Sequence, residues 1–192
     1  MRILALSDEE STALRSKIRT GDLPKIDLIV SCGDLHPSYL DEVASGANAL
    51  LVYVRGNHDY GAMDGGICIE DRVFTCQGVR LAGLGGSMRY RPGSDMYTEN
   101  EMRWRALRLM PRIMHSRGID VLVTHAPAAG YGDLEDLAHQ GFEVFNTLMD
   151  RYKPQYMLHG HIHSAYGRIP RRHSHPSGTA IINTCGYQII EI

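Results

Sequence analysis

Residues 50–59 read Leu50-Leu51-Val52-Tyr53-Val54-Arg55-Gly56-Asn57-His58-Asp59. The first five form a strand-length apolar run. The run ends at a glycine, followed by an amide, an imidazole and a carboxylate. Glycine permits a sharp turn where a side chain must be aimed. In open α/β sheets, ligands collect outside the carboxyl ends of strands. This stretch therefore predicts a strand that delivers polar side chains at its end.

The same arrangement recurs along the chain. LALS (4–7) leads into Asp8-Glu9-Glu10, and LIVSC (28–32) into Gly33-Asp34. VLVT (121–124) leads into His125, and YMLH (156–159) into Gly160-His161-Ile162-His163. Helical stretches at 11–20 and 38–45 separate the first three runs. That alternation predicts βαβ units with parallel strands. Runs at 67–69, 72–76 and 79–84 leave little room for helices and read as a meander. The longest helix is predicted at 98–117, where Thr98 and Glu101 have capping-box spacing and Gly118 supplies a stop. Pro111 is expected to kink or break it. Asp133 is expected to cap a helix beginning there and re-formed after Gly141. The last two runs, 178–183 and 187–192, read as a closing hairpin. Together these predict one α/β domain over 1–192, with one mixed sheet or two packed sheets.

Composition bounds the setting. The 43% apolar and 22% charged shares are those of a soluble globular chain. A net charge of −2 gives no whole-protein field toward nucleic acid or an anionic membrane. No run approaches the ~18 apolar residues of a membrane span. The opening MRILALS is too short in its apolar part for a secretory leader. The four cysteines form no CxxC pair and are expected to be reduced and mostly buried. The expected location is cytoplasmic.

Carboxylates, an amide oxygen and imidazoles are the donors that bind Mn²⁺, Fe or Zn²⁺ and polarise phosphate. Each motif is weak alone; five in order, each at a strand end, are not. In that order, Asp8 to His163 resembles the calcineurin-like metallophosphoesterases, especially small bacterial members without a large accessory domain. Their pattern is DxH, GD, GNHD or GNHE, a lone His, then GHxH. The resemblance implies two mixed β-sheets packed face to face and flanked by helices. It implies two metal ions, with Asp8 and His163 on the first, Asp34 bridging, and Asn57, His125 and His161 on the second. It places His58 near the leaving group, oriented by Asp59. Two such ions lower the pKa of a shared water, so that hydroxide attacks phosphorus while His58 protonates the leaving oxygen.

One position departs from the pattern: Glu10 stands where the family has the first-motif His. Alternation along an extended segment puts Asp8 and Glu10 on one side and Glu9 on the other. Glu10 then ligates the first metal directly or through water, and the more anionic pocket favours Mn²⁺ or Fe over Zn²⁺. The competing reading is that Glu10 misses the metal. His36 and Arg89 are candidate substrate contacts, with a capping His and a solvated loop Arg as the alternatives. The arginines of the long helix read as a solvated face. The expected substrate is a small phosphate ester, diester or monoester, with nucleic acid disfavoured. The alternative function is a metal-binding scaffold, since some proteins of this fold serve in assembly. In those the GNHD histidine is typically replaced; here His58 is present.

Overall fold

The computed structural model describes residues 1–59, 65–167 and 169–192. Among the described residues, thirteen strands and four α-helices run in the order β1 (Arg2–Ser7), α1 (Thr12–Thr20), β2 (Leu28–Ser31), α2 (Pro37–Ala47), β3 (Leu50–Tyr53), β4 (Ile67–Cys68), β5 (Val73–Cys76), β6 (Val79–Leu84), β7 (Ser87–Met88), β8 (Met96–Tyr97), α3 (Glu99–His115), β9 (Val121–Thr124), α4 (Glu143–Tyr152), β10 (Tyr156–His159), β11 (Arg172–Ser174), β12 (Ala180–Asn183) and β13 (Gly186–Glu191). The first sheet has the order β13-β1-β2-β3-β4 and the second β11-β12-β10-β9-β6-β5, while β7 and β8 make a small third sheet. In the first sheet β13 runs antiparallel to β1 and the other pairs are parallel. In the second, β11 and β5 are the antiparallel edges around a parallel centre.

Alternation explains the layers. Ile3, Ala5, Leu28, Val30 and Val52 meet Leu81, Val121, Val123, Leu158 and Ile182 in a core between the sheets. Leu4, Leu6, Ile29 and Leu51 point the other way, onto Leu14 of α1 and Tyr39, Leu40 and Val43 of α2. Ala82, Leu122, Met157 and Ile181 do the same on the far side, against α3 and α4. Both faces of the central strands are covered, so those strands are apolar throughout, as parallel strands buried on both sides should be. The result is a helix–sheet–sheet–helix sandwich, the two-sheet alternative among the sequence expectations.

Four expectations are corrected. The 67–84 segment is not a meander: β4 joins β3 in the first sheet, while β5 and β6 pair in the second. The chain crosses between sheets at Ile69–Asp71, where the Asp71 amide donates to Gly83 O at 2.9 Å. A Cβ on Gly83 would lie 2.5 Å from Ile69 O, so only glycine admits this crossing. The final runs are not a hairpin either. β12 ends in the second sheet and β13 pairs with β1 in the first, with the crossing at Thr184–Cys185. Pro111 does not break α3, which continues to His115. Finally, Asp133 begins no helix: its carboxylate accepts from Gly130 N at 2.9 Å and Gly141 N at 3.1 Å, closing a loop. The helix after that loop is α4, whose N-cap Phe142 makes no side-chain cap; Glu99 of α3 accepts from the Glu143 and Val144 amides at 3.0 Å instead.

Candidate metal centre

The carboxyl ends of β1, β2 and β3 in one sheet, and of β9 and β10 in the other, bring the predicted residues to the seam between the sheets. His125 is fully buried. Its Nδ1 donates to Cys32 O at 2.7 Å, which leaves Nε2 as the lone-pair atom. His161 shows the opposite choice: Nε2 donates to Ala138 O at 2.7 Å, leaving Nδ1 to accept. These two lone-pair nitrogens lie 3.1 Å apart. Asn57 Oδ1 is 3.1 Å and Asp34 Oδ2 3.4 Å from the same His125 nitrogen. Four atoms able to accept thus converge, and a donor stands among them only when the His125 ring carries a proton on Nε2. Such a set is held together by a shared proton or by a cation, and its donor types suit a divalent transition metal. The buried Asn57 Nδ2 has no hydrogen-bond partner among the described residues, so the amide places its oxygen on the cluster and leaves its own donor unsatisfied.

The electrostatics follow. Burial pushes the Asp34 carboxyl up, but the His125 ring and the His58 amide, which donates to Oδ1 at 2.9 Å, outweigh it and hold it at about 2. Burial pushes His125 down, yet the Asp34 and Asp8 carboxylates carry it to about 9. His161 is driven to about 3 by burial and by the neighbouring His125. Asp8 is raised, chiefly by burial. Three carboxylate or imidazole groups, Asp34, His125 and His161, lie within 4.8 Å of one another.

Local backbone aims these groups. Asp8, Asp34 and His161 all have positive φ, of 60°, 57° and 69°. A non-glycine residue held there is uncommon and strained. Asp8 is fixed by the His161 amide, which reaches both carboxylate oxygens at 3.0 and 2.9 Å. Gly56 leaves room for the cluster: a Cβ there would sit 2.0 Å from Asp34 Oδ1 and 2.6 Å from His125 Cε1.

The other predicted residues are placed as follows. His163 brings Nε2 to 3.9 Å from Asp8 Oδ1 and Nδ1 to 3.4 Å from Glu9 Oε1. Glu10 lies outside this group: its Oε2 pairs with Arg15 at 2.9 Å. The expected alternation fails because β1 ends at Ser7 and Asp8 turns into the left-handed region, so Glu9 is the acid that faces His163. His58 is exposed beside the cluster. Among the described residues, the hydrogen bonds of Asp59 go to the Gly56 and Asp34 amides, at 2.8 and 2.9 Å, and not to the His58 ring. Asp59 therefore joins the two ligand loops. His36 caps α2, its Nδ1 2.8 Å from Ser38 Oγ. Arg89 is taken up by Glu101 at 2.9 Å and by Met96 O.

Sequence reasoning missed two participants: Glu9 and Cys185. Cys185, one of the cysteines expected to be reduced, joins Glu9 and His163 in a second group of donors within 4.8 Å of one another. His139 stands 5.1 Å from the His161 ring and 4.7 Å from Tyr166, centroid to centroid. Only the adjacent SDEE acids and the many histidines hinted at these neighbours.

Comparison with known proteins agrees with this geometry. The calcineurin-like phosphoesterase profile matches residues 1–165. A UPF0046 protein of Caenorhabditis elegans is 33% identical over 107 residues, 53% of this chain and 25% of that protein. Human metallophosphoesterase domain-containing protein 1 is 31% identical over 104 residues, 53% of this chain and 30% of that protein. The chain thus spans a minor part of either relative's length. Among solved structures, TT1561 of Thermus thermophilus superposes with a TM-score of 0.67 at 14% identity, over 96% of this chain and 88% of that one. Vps29 of Entamoeba histolytica, solved with Zn²⁺, gives 0.50 at 12% identity, over 100% and 86%. With strand ends, donor cluster and profile in agreement, the chain belongs to the calcineurin-like phosphoesterase family.

Proposed function

We propose that this protein hydrolyses small phosphate esters at a dinuclear metal centre in the seam between its two sheets. The observation that carries the reading is the convergence of His125 Nε2, His161 Nδ1, Asn57 Oδ1 and Asp34 Oδ2. These four would hold one cation, and Asp34 would serve a second ion as well. Asp8 and His163 would hold the other. When bound, such ions polarise a phosphoryl group and acidify a water between them. The chain supplies the rest. Carbonyl-bound rings at His125 and His161 fix which nitrogen faces the ions, which is the usual work of outer partners at a metal. The exposed His58 is anchored through its amide to Asp34, next to where an ester would dock, and gives a proton to the leaving oxygen. Asp59 sets the spacing of the Asp34 and Asn57 loops.

The test is hydrolysis of bis-p-nitrophenyl phosphate and p-nitrophenyl phosphate with Mn²⁺, Fe²⁺ or Zn²⁺ added, beside Asp34→Asn. Turnover is expected for the wild type and is expected to vanish with Asp34→Asn. Two bound ions with no turnover on either ester would replace the enzyme by a metal-binding scaffold of the same fold, a reading to which the turned-away Glu10 lends some support.

A further inference from the structure

Glu10 does not supply the ligand that the family draws from its first-motif histidine, because Arg15 holds its carboxylate 2.9 Å away. The first metal position would then rest on Asp8, His163 and the shared Asp34, leaving its shell open. The structure assigns the missing donors to Glu9 and Cys185. This rests on the dinuclear reading above and extends it.

Three observations support the assignment. Glu9, His163 and Cys185 each offer a ligand atom within 4.8 Å of the others, a spacing one ion can span. Glu9 Oε1 is 3.4 Å from His163 Nδ1, so the acid and that ring nitrogen can share an ion, while Asp8 Oδ1 lies 3.9 Å from the opposite nitrogen, Nε2. Cys185 is also fixed from outside. It lies where the chain passes from the second sheet to the first, bridged to Ser7 at the end of β1. Asn183 Oδ1 accepts its amide at 2.9 Å, and Arg171 donates to its carbonyl at 2.9 Å. The residue is 1% exposed, so its sulfur stays at the cluster.

A thiolate in this position changes metal choice. Binding forms a sulfur–metal bond and releases the thiol proton to solvent. Thiolate is a soft donor and favours Zn²⁺, Fe²⁺ or Co²⁺ over Mn²⁺. The preference for Mn²⁺ expected from a second carboxylate at Glu10 is reversed at this position, while the all-nitrogen-and-oxygen cluster around His125 keeps its own.

The experiment uses the full chain loaded with Co²⁺, reading absorption and metal content together. The near-ultraviolet thiolate-to-cobalt charge-transfer band is expected in the wild type and in Cys76→Ser, with two ions per chain. Cys185→Ser is expected to lose the band and the more weakly held ion while keeping the visible bands of the other. Glu9→Gln is a second probe should Cys185→Ser fold poorly: it is expected to keep the band and to weaken the first ion by more than about tenfold. Two ions without the band in the wild type overturn the thiolate assignment and leave the dinuclear centre intact. A band that survives Cys185→Ser, or unchanged affinity in Glu9→Gln, overturns it as well. No cobalt bound at all overturns both readings.

Discussion

His58 is the residue on which an active enzyme turns. Its amide is committed to Asp34 while its ring stands exposed, so truncating the ring would remove the proposed proton donor and leave the proposed ligands in place. His58→Ala is expected to retain metal and to lose about 10²–10⁴-fold in turnover on esters with poor leaving groups, and far less on nitrophenyl esters. Equal losses on both would exclude general-acid catalysis by this ring. Gly56 gives a complementary prediction. Because a Cβ would meet Asp34 Oδ1 and His125 Cε1, Gly56→Ala is expected to weaken metal binding and lower the melting temperature together. Wild-type metal content in that variant would show that the carboxylate can move aside. At this scale most of the centre was legible: Asp8, Asp34, Asn57, His125, His161 and His163 each follow an apolar run, and strand ends collect ligands. What was not legible is direction. Glu9 and Glu10 are the same residue type, and only the positive φ of Asp8 decides which one faces His163.

Elements were legible in kind more than in partnership. β5–β6 and β12–β13 are both close-set strand pairs in the sequence, yet only the first pair forms a hairpin. Local pattern reports that a strand exists, whereas the neighbour is chosen by which sheet edge lacks one. The same limit explains α4, whose N-terminal amides are capped by Glu99 of a distant helix rather than by a residue before it. Arg80 of β6 and Asp120, just before β9, form another link of this kind. Arg80 Nη2 reaches Asp120 Oδ1 at 2.6 Å, and Arg80 also donates to the carbonyls of Ser116 and Arg117 after α3. The Asp120 carboxyl is held below its ordinary value by the Arg80 guanidinium. A depressed carboxyl stabilises the fold above its unfolded pKa of 3.8 and loses that contribution as pH falls through the folded value. Asp120→Asn is therefore expected to cost about 1 kcal/mol at neutral pH and little once the pH has fallen through the folded value, read by urea melts on either side. A penalty independent of pH would mean that packing, not charge, carries the link.

For the whole molecule, the centre draws Asp8, Asp34 and Asn57 from one sheet and His125, His161 and His163 from the other. An ion bound to both sets ties the sheets together, and only the folded chain offers it that arrangement. Metal at a hundredfold excess over its dissociation constant is expected to add about 2.7 kcal/mol. That corresponds to a rise of roughly 5–10 °C in melting temperature for a chain of this size. A chelator is expected to reverse the shift, as scanning calorimetry would show; an unchanged melt in the presence of bound ion would mean that the unfolded chain binds it equally well. Among the described residues no helix is long and apolar enough to cross a membrane.

The inter-sheet core has one more consequence. Ala5, Val30, Val123 and Leu158 lie a few residues upstream of Asp8, Asp34, His125 and His161, and they are the side chains on which one sheet rests against the other. Their combined thickness is therefore a spacer. It sets the gap across which the two banks of donors face each other, much as a shim sets the opening of a jaw. Methyl groups buried well away from any ligand thus tune which ionic radius the jaw accepts.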